Sequence, residues 1–424
     1  MTPYAEDVLS HILKEKEVLM SKRLILVAFA MLFESVLFAQ QPSPNVFLMD
    51  PKTLQAIRES YGKPEGEFKA AIDALLDDAR KALKAEPASV VQKTGVPPSG
   101  NKHDYMSVAP YWWPDSTKPG GLPYIRRDGE RNPEYYSFGD HVALGKMTSN
   151  VHTLALAYFI SRQESFAEKA AGLLHVWFLD SATRMNPNLN FAQAIKGINN
   201  GRGIGIIETY QFRDLIDAMQ LLKGSPHWTK TLDQGIASWF SAYLKWLQES
   251  PNGKDESGEK NNHGSAYDIQ VASIALYLGR KDVARDVLTN VPKKRMAVQI
   301  MADGSQPLEL ARTNSWGYSL MNTEALIHLA FLGEHVDVDL WHVPGPDGRD
   351  IRHAIDFLLP YALGQKTWTW TQIVPMKREQ MVPILRIAAV KYGDEKYKKA
   401  YETLTNADVM KSRENLVLPR SPSK

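Results

Sequence analysis

Two short polar segments contain the side chains best suited to acid–base chemistry. The first, Glu259–Ser265, carries Asn261-Asn262-His263 between a charged stretch and a helical pattern. The second, Asp303–Ser319, carries Arg312 and, six residues later, Tyr318. Histidine and tyrosine can transfer protons, and arginine can bind a carboxylate through two parallel hydrogen bonds. If residues 312–318 are partly helical, Arg312 and Tyr318 can face one cleft. A single histidine such as His263 is weaker evidence, because a lone histidine is more often a structural residue than a catalyst.

A third segment is rich in asparagine and glycine. It runs from Asn186 to Gln193 and continues into Gly201-Arg202-Gly203-Ile204-Gly205. The alternating glycines do not have the Gly-x-Gly-x-x-Gly spacing, and no strand is predicted before them, so we reject a nucleotide-binding loop. Glycines at this spacing instead allow the backbone to approach a ligand or a neighbouring helix closely.

Residues 98–137 form a long stretch without helical periodicity. It contains several aromatic and basic side chains, namely Tyr105, Tyr111, Trp112, Trp113, Arg126, Arg127 and Arg131. A loop of this length inside a domain is usually functional. Aromatic rings stack on sugar faces, and arginine pairs with carboxylates. We predict a lid over a cleft for an acidic sugar chain; the alternative is a packed loop that covers a helix end.

The elements that must position these segments are helices. Apolar residues recur at helical spacing over residues 68–83, 212–222, 236–247, 271–278 and 384–388. The breaks are short and contain Gly, Pro or Asn, for example at 223–226, 251–253, 278–279 and 332–333. No run of alternating β-type residues is evident. The pattern predicts an all-α domain, from about residue 45 to 415, of antiparallel helical hairpins in a ring or a solenoid.

Composition narrows the class of protein. The 424 residues are 44% hydrophobic and 23% charged, which is typical of a globular chain. A net charge of +2 gives no broad field for nucleic acid, so an acidic ligand needs a local basic cluster. The absence of cysteine excludes disulfides, thiolate metal sites, cysteine nucleophiles and a lipoprotein anchor. The oligomeric state is left open.

The N-terminus is similar to an export signal. Lys22 and Arg23 precede an apolar run that ends at Ala39, and a polar, proline-containing stretch follows. Residues 1–19 carry four acidic side chains, so we predict that translation starts at Met20 and that residues 20–39 are a signal peptide. The run is too short and interrupted to span a membrane comfortably. The mature chain is therefore expected to begin near Gln40 and to be periplasmic or secreted, without membrane attachment.

The three polar segments together resemble the alginate-lyase domain family of helical-toroid polysaccharide lyases. The resemblance covers roughly residues 60–400 and includes a late helix at 354–361. It implies an incomplete (α/α) toroid that cleaves polyuronates, with Asn262, His263, Arg312 and Tyr318 as the catalytic set. Tyr105, Tyr111, Trp112, Trp113, Arg126, Arg127, Gln193 and Arg202 are the predicted substrate contacts. Because no histidine follows Tyr318, the polymer is left open between alginate, glucuronan and a related chain.

A lyase of this kind removes the proton on C5 of a uronate and expels the oxygen on C4. Asn262, Arg312 and His263 would neutralise the carboxylate beside C5. Tyr318 would be both base and acid for syn groups, whereas for anti groups His263 would be the base and Tyr318 the acid. A base role requires a lowered pKa of Tyr318, which a nearby Arg312 favours. No metal or cofactor is required.

Three alternatives remain. A glycoside hydrolase would need two carboxylates across the bond, and Asp303 and Glu309 are the candidates, although the first is expected to form a turn and the second to start a helix. A non-catalytic glycan-binding protein would keep the aromatic residues without the catalytic set. A helical scaffold protein is the third alternative.

Overall fold

The computed structural model describes residues 43–136 and 139–420. The predicted segments 1–19 and 20–39 lie outside the described residues. The described residues from 45 to 420 belong to one compact unit, and of the unit 1–44 only Ser43 and Pro44 are described.

Helices dominate the described residues, and the strands among them are two to four residues long. The α-helices are α1 (Pro51–Ser60), α2 (Lys69–Ala82), α3 (Asp140–Ser161), α4 (Glu164–Phe178), α5 (Phe212–Leu222), α6 (Lys230–Glu249), α7 (Pro251–Gly258), α8 (Asn262–Tyr277), α9 (Lys281–Thr289), α10 (Ala297–Gln299), α11 (Pro307–Leu310), α12 (Ser315–Glu334), α13 (Ile351–Ala362), α14 (Val382–Tyr392), α15 (Glu395–Leu404), α16 (Ala407–Lys411) and α17 (Glu414–Val417). The strands are β1 (Met106–Val108), β2 (Trp112–Trp113), β3 (Ile125–Arg126) and β4 (Phe191–Ala194).

Helix α6 shows how the apolar periodicity produces these elements. The Thr229 hydroxyl accepts a hydrogen bond from the backbone N–H of Leu232 and caps the first turn. The apolar stripe that includes Ile236, Phe240 and Leu247 is fully buried. The sequence prediction for this helix is confirmed.

The middle of the domain consists of helices that are buried on nearly every side. Helix α8 packs against α5, α6, α7, α9 and α12, and α3 packs against α2, α4 and α5. Almost every side chain of α8 from Asn262 to Leu276 is buried. A helix enclosed in this way must be apolar around its whole circumference, apart from polar groups with internal partners. The predicted all-α toroid is confirmed.

Two local predictions differ from the structure. The break predicted at 251–253 lies at the extended Ser250, and residues 251–253 are the first turn of α7, because the Ser250 hydroxyl accepts the Gly253 N–H at 3.0 Å and Pro251 occupies a position where no N–H is needed. A strand does precede the glycine-rich segment, since β4 pairs with β1 in parallel. It is only four residues long, and the glycine spacing still excludes a nucleotide loop.

Strands β2 and β3 form an antiparallel pair within the predicted lid, in which Trp112 lies opposite Arg126 and Trp113 opposite Ile125. The lid is therefore a folded hairpin with its own backbone pairing. Among residues 43–136 and 139–420, none of the helices has the length and apolar character that crossing a bilayer requires.

Candidate active site

Arg312 and Tyr318 are in direct contact at the start of α12. The Nη2 of Arg312 donates a hydrogen bond of 2.7 Å to the Tyr318 hydroxyl, and the guanidinium lies 3.7 Å from the centre of the tyrosine ring. From the lid, the Tyr111 hydroxyl lies 3.0 Å from the same Tyr318 oxygen. Two predicted catalytic residues and one predicted lid residue therefore meet at a single hydroxyl group.

Asp128 is the charge partner of Arg312. Its carboxylate accepts hydrogen bonds from Nε of Arg312 at 3.1 Å and from Nη2 at 2.8 Å. The backbone N–H of Thr313 donates a further bond at 3.1 Å. Burial raises the pKa of Asp128, but Arg312 and Thr313 outweigh it and lower the pKa to about 2. Asp128 is therefore ionised at neutral pH, and it occupies the Nε–Nη2 edge of the Arg312 guanidinium.

The ionisation of Tyr318 differs from the sequence prediction. Burial raises its pKa above the ordinary value, the neighbouring Tyr111 raises it further, and Arg312 lowers it by less. The expected lowering is wrong for this arrangement because burial and Tyr111 outweigh Arg312, whose charge is also paired with Asp128. Tyr318 is thus a protonated phenol at neutral pH, which suits a proton donor.

Asn262 is held by a glutamate from the other polar segment. The Asn262 backbone N–H donates to Oε1 of Glu309 at 2.8 Å, and its Nδ2 donates to Oε2 at 2.7 Å. Both residues are 1% exposed. Burial raises the pKa of Glu309, whereas the bonds from Asn262 and the charges of Arg312 and His263 lower it. Glu309, which lies three residues before Arg312, therefore joins the start of α8 to the Arg312–Tyr318 pair.

His263 has a carboxylate partner of its own. Its Nδ1 lies 2.7 Å from Oε1 of Glu256, which is on α7. The Glu256 side chain is fully buried, and that of His263 is 15% exposed. Burial raises the pKa of Glu256, and His263 lowers it.

Gln193 and Arg202 form a second pair next to the lid. Arg202 donates to the Gln193 side-chain oxygen at 2.9 Å, and its guanidinium lies 6.0 Å from the Trp112 ring. The charges of Arg126 and Glu256 both act on Arg202, so Arg202 is within electrostatic reach of the lid and of the carboxylate that pairs with His263. Gln193 has a φ of +50°, a conformation that costs energy outside glycine and is typical of functional sites.

Tyr105 is not a surface contact. Its ring is 0% exposed, and its hydroxyl donates to Oε2 of Glu208 at 2.6 Å. The Ser107 hydroxyl donates a hydrogen bond of 2.7 Å to the same Glu208 oxygen. The same hydroxyl accepts a hydrogen bond of 2.8 Å from the Gln193 backbone N–H. The prediction that Tyr105 binds substrate is therefore wrong: this side chain supports the backbone beneath Gln193.

The glycines of the third segment allow close packing against neighbouring backbone. A Cβ on Gly201 would lie 2.1 Å from the Asn190 carbonyl oxygen. One on Gly203 would lie 2.7 Å from the Asn252 carbonyl oxygen and 2.6 Å from an Asp255 carboxylate oxygen, both on α7. Gly203 thus allows its segment to lie directly against the helix that carries Glu256.

The remaining aromatic and basic side chains of the lid are partly or largely exposed. Trp113 donates from its indole nitrogen to the Glu130 carbonyl, and the Arg127 guanidinium lies 5.4 Å from its ring. Arg126 pairs with Asp128 at 2.7 Å and is about half exposed. Trp112 is partly exposed beside Arg202. Their contact with a substrate stays a prediction.

Two carboxylates of this site were missed in the sequence, and a third was given another role. Glu309 lies in the Arg312 segment, but it was considered only as a hydrolase candidate and a helix-start residue. Glu256 is seven residues before His263, within a stretch that was interpreted as a loop. Asp128 is 184 residues from its partner, and nothing in the local sequence indicates the pairing. Asp303, the other hydrolase candidate, caps a turn through the Ser305 N–H at 2.9 Å, as expected.

Comparison with known proteins identifies this toroid as a polysaccharide lyase. The alginate lyase family model matches residues 89–368. The crystal structure of an alginate lyase from Bacteroides ovatus is 40% identical in sequence, with a TM-score of 0.85 over 88% of this chain and 99% of the other. The chain belongs to the alginate lyase family.

More distant structures share the fold. Alginate lyase A1-III from Sphingomonas species A1 is 18% identical, with a TM-score of 0.51 over 84% of this chain and 92% of the other. A variant of A1-III complexed with a tetrasaccharide is 17% identical, with a TM-score of 0.52. None of the curated proteins compared with the chain matches it.

Proposed function

We propose that the protein cleaves alginate, or a closely related polyuronate such as glucuronan, by β-elimination at the Arg312–Tyr318 site. The observation that carries this proposal is the Asp128–Arg312–Tyr318 arrangement, in which a carboxylate-binding guanidinium lies 2.7 Å from a phenol oxygen. A uronate carboxylate bound by a guanidinium would place the adjacent C5 and C4 near acid–base groups. Membership of the alginate lyase family and the similar Bacteroides ovatus alginate lyase support the choice of polymer.

In the proposed reaction a base removes the C5 proton. The electron pair of that C–H bond forms the C4=C5 double bond, the C4–O bond breaks, and an acid protonates the departing oxygen. Arg312 stabilises the negative charge that develops on the carboxylate. Because the Tyr318 phenol is protonated, Tyr318 is the acid in the anti reaction, and His263 is the base. For syn groups, Tyr318 must first lose its proton. Binding of the C5 carboxylate near Asn262 stays part of the proposal.

The product distinguishes a lyase from the alternatives. We expect ultraviolet absorbance from unsaturated uronate ends to rise with at least one of polymannuronate, polyguluronate and polyglucuronate. A carboxyl-reduced sample of the same polymer is the matched control and should give no signal, since its C5 proton is not acidic. New reducing ends without absorbance would indicate hydrolysis, and binding without either signal would indicate a glycan-binding protein.

The lid tryptophan beside Arg202 offers a test of substrate contact. Trp112→Ala is expected to raise KM about fivefold with kcat changed less, because a stacking contact of ~1 kcal/mol stabilises the bound substrate and the transition state equally. Trp112→Phe keeps a ring and should retain a KM near that of the parent. Steady-state kinetics with Trp112→Ala giving an unchanged KM would contradict a stacking role.

We also propose that the protein is exported and that cleavage after Ala39 leaves a mature chain near Gln40. The support is the positive flank, the apolar run and the polar exit in residues 22–44. Mass spectrometry of the protein from its native host is expected to show no peptide from residues 24–39. Mature protein that retains these residues would refute the proposal.

A further inference from the structure

We infer that Glu256 is a positioning residue that keeps the ring proton of His263 on Nδ1 and thereby leaves Nε2 as the working nitrogen. This inference rests on the proposed function, because it assigns Glu256 a role in the same site. It concerns the orientation and proton position of the imidazole, and Glu256 itself is not expected to contact substrate.

The geometry gives His263 one fixed partner. Oε1 of Glu256 lies 2.7 Å from Nδ1, and the glutamate side chain is fully buried. Its second oxygen, Oε2, is enclosed and has no hydrogen-bond partner among the described residues. The other ring nitrogen of His263, Nε2, neither donates nor accepts a hydrogen bond within the described residues. Unlike Oε2 of Glu256, Nε2 is not enclosed. The imidazole is therefore held on its inner side and available on its outer side.

A carboxylate can only accept hydrogen bonds, so Nδ1 must carry the proton in this pair. Nε2 then has a lone pair when the ring is neutral and an N–H when the ring is charged. The first state serves a base and the second serves a donor to a uronate carboxylate. Either role proposed for His263 requires the same proton on Nδ1.

The surroundings of Glu256 explain why its bond to His263 matters. Asp255 and Glu259 raise its pKa in addition to burial, so an unpartnered carboxylate here would favour the protonated form. The pair also lies within electrostatic reach of Arg202 and Glu309. A protonated carboxyl could donate to Nδ1 and move the imidazole proton to Nε2, which would remove the lone pair that faces outward.

The chain offers a matched control for the substitution. His353 and Asp350 form a second pair, in which Nδ1 lies 2.7 Å from a carboxylate oxygen. Their side chains are 43% and 20% exposed, and Asp350 caps α13. Asp350→Asn replaces the same functional group with its amide and keeps an oxygen for the cap, so its activity should equal that of the parent.

Glu256→Gln is expected to lower kcat on the order of 10²-fold while KM changes less than about threefold, because the amide can donate to Nδ1 and stabilise the wrong tautomer. His263→Ala and the double variant Glu256→Gln/His263→Ala complete the cycle. If Glu256 acts through His263, the double variant should be as active as His263→Ala within about twofold. Losses that multiply would overturn the inference.

The tautomer can be observed directly in the full-length protein with 15N-labelled histidine. Nitrogen NMR of the parent is expected to show an Nδ1–H tautomer for His263, assigned by its loss in His263→Ala, and a changed pattern in Glu256→Gln. An Nε2–H tautomer in the parent would overturn the inference even if Glu256→Gln does not fold. If the parent shows no lyase activity on any polyuronate, the proposed function fails, whereas the NMR result still decides the tautomer.

Discussion

Tyr318→Phe is expected to lower the lyase kcat by a factor on the order of 10² or more and to leave the fold intact. The change removes only the hydroxyl that accepts the bond from Arg312 and lies beside Tyr111. In the proposed mechanism, proton transfer through that oxygen is part of the transition state, so kcat and kcat/KM should fall together. Initial rates of absorbance increase, with circular dichroism as the fold check, measure the effect.

Tyr277→Phe is the matched control for this prediction. Tyr277 is a partly buried tyrosine at the far end of α8, and its enclosed hydroxyl has no partner among the described residues. Its loss should therefore leave the rate unchanged. A folded Tyr318→Phe variant with near-parent activity would contradict the mechanism. The acid would then have to be sought at Tyr210 or Tyr267, although the Tyr267 hydroxyl already donates to the Leu247 carbonyl at 2.9 Å.

Arg312→Ala is expected to lower kcat/KM by about 10²- to 10³-fold, because in the proposed mechanism this one group both binds the uronate carboxylate and stabilises charge in the transition state. The substitution also leaves Asp128 without its main partner, which adds a repulsive charge for an anionic polymer. Arg312→Lys keeps a charge but loses the two-pronged geometry and should recover only part of the activity.

Two further variants separate these effects. Arg312→Ala/Asp128→Ala removes the repulsive charge and should bind the polymer better than Arg312→Ala, with kcat still low. Arg280→Ala removes an exposed arginine that bonds to Ser241 at 2.6 Å, and it should match the parent. If Arg312→Ala keeps kcat/KM within threefold of the parent, carboxylate stabilisation must come from another group.

Helices α2, α5 and α6 could be predicted because each has apolar residues at helical spacing and clear breaks. The inner helices α3 and α12 are buried on nearly every side, so they lack a one-sided apolar stripe and were not among the predicted spans. Helix α7 has little apolar character, and its start depends on a serine cap and a proline that also fit a turn. Local sequence could not separate these two outcomes, since the same residues start helices and form turns.

The site could be predicted only where residues with suitable acid–base chemistry lie close together in the sequence. Arg312 and Tyr318 are close in sequence, so one helix start brings them together. Their ionisation was not predictable, because besides burial the main influences are Tyr111 on Tyr318 and Asp128 on Arg312, and both of these residues come from the lid. The prediction for Tyr105 was wrong because burial cannot be read from local sequence. An aromatic side chain fits either a surface that stacks on sugar or a buried support, and only the fold decides between the two.

The close packing of Gly203 against α7 has a consequence for redesign of the enzyme. A mutational library aimed at sugar preference would naturally include residues 201–205, because Arg202 is among them. Any side chain at 203 would push against Asn252 and Asp255, and so displace the helix that carries Glu256. Variants at 203 should therefore lose turnover without changing which sugar is preferred, whereas the exposed positions of the β2–β3 hairpin offer more freedom to alter selectivity.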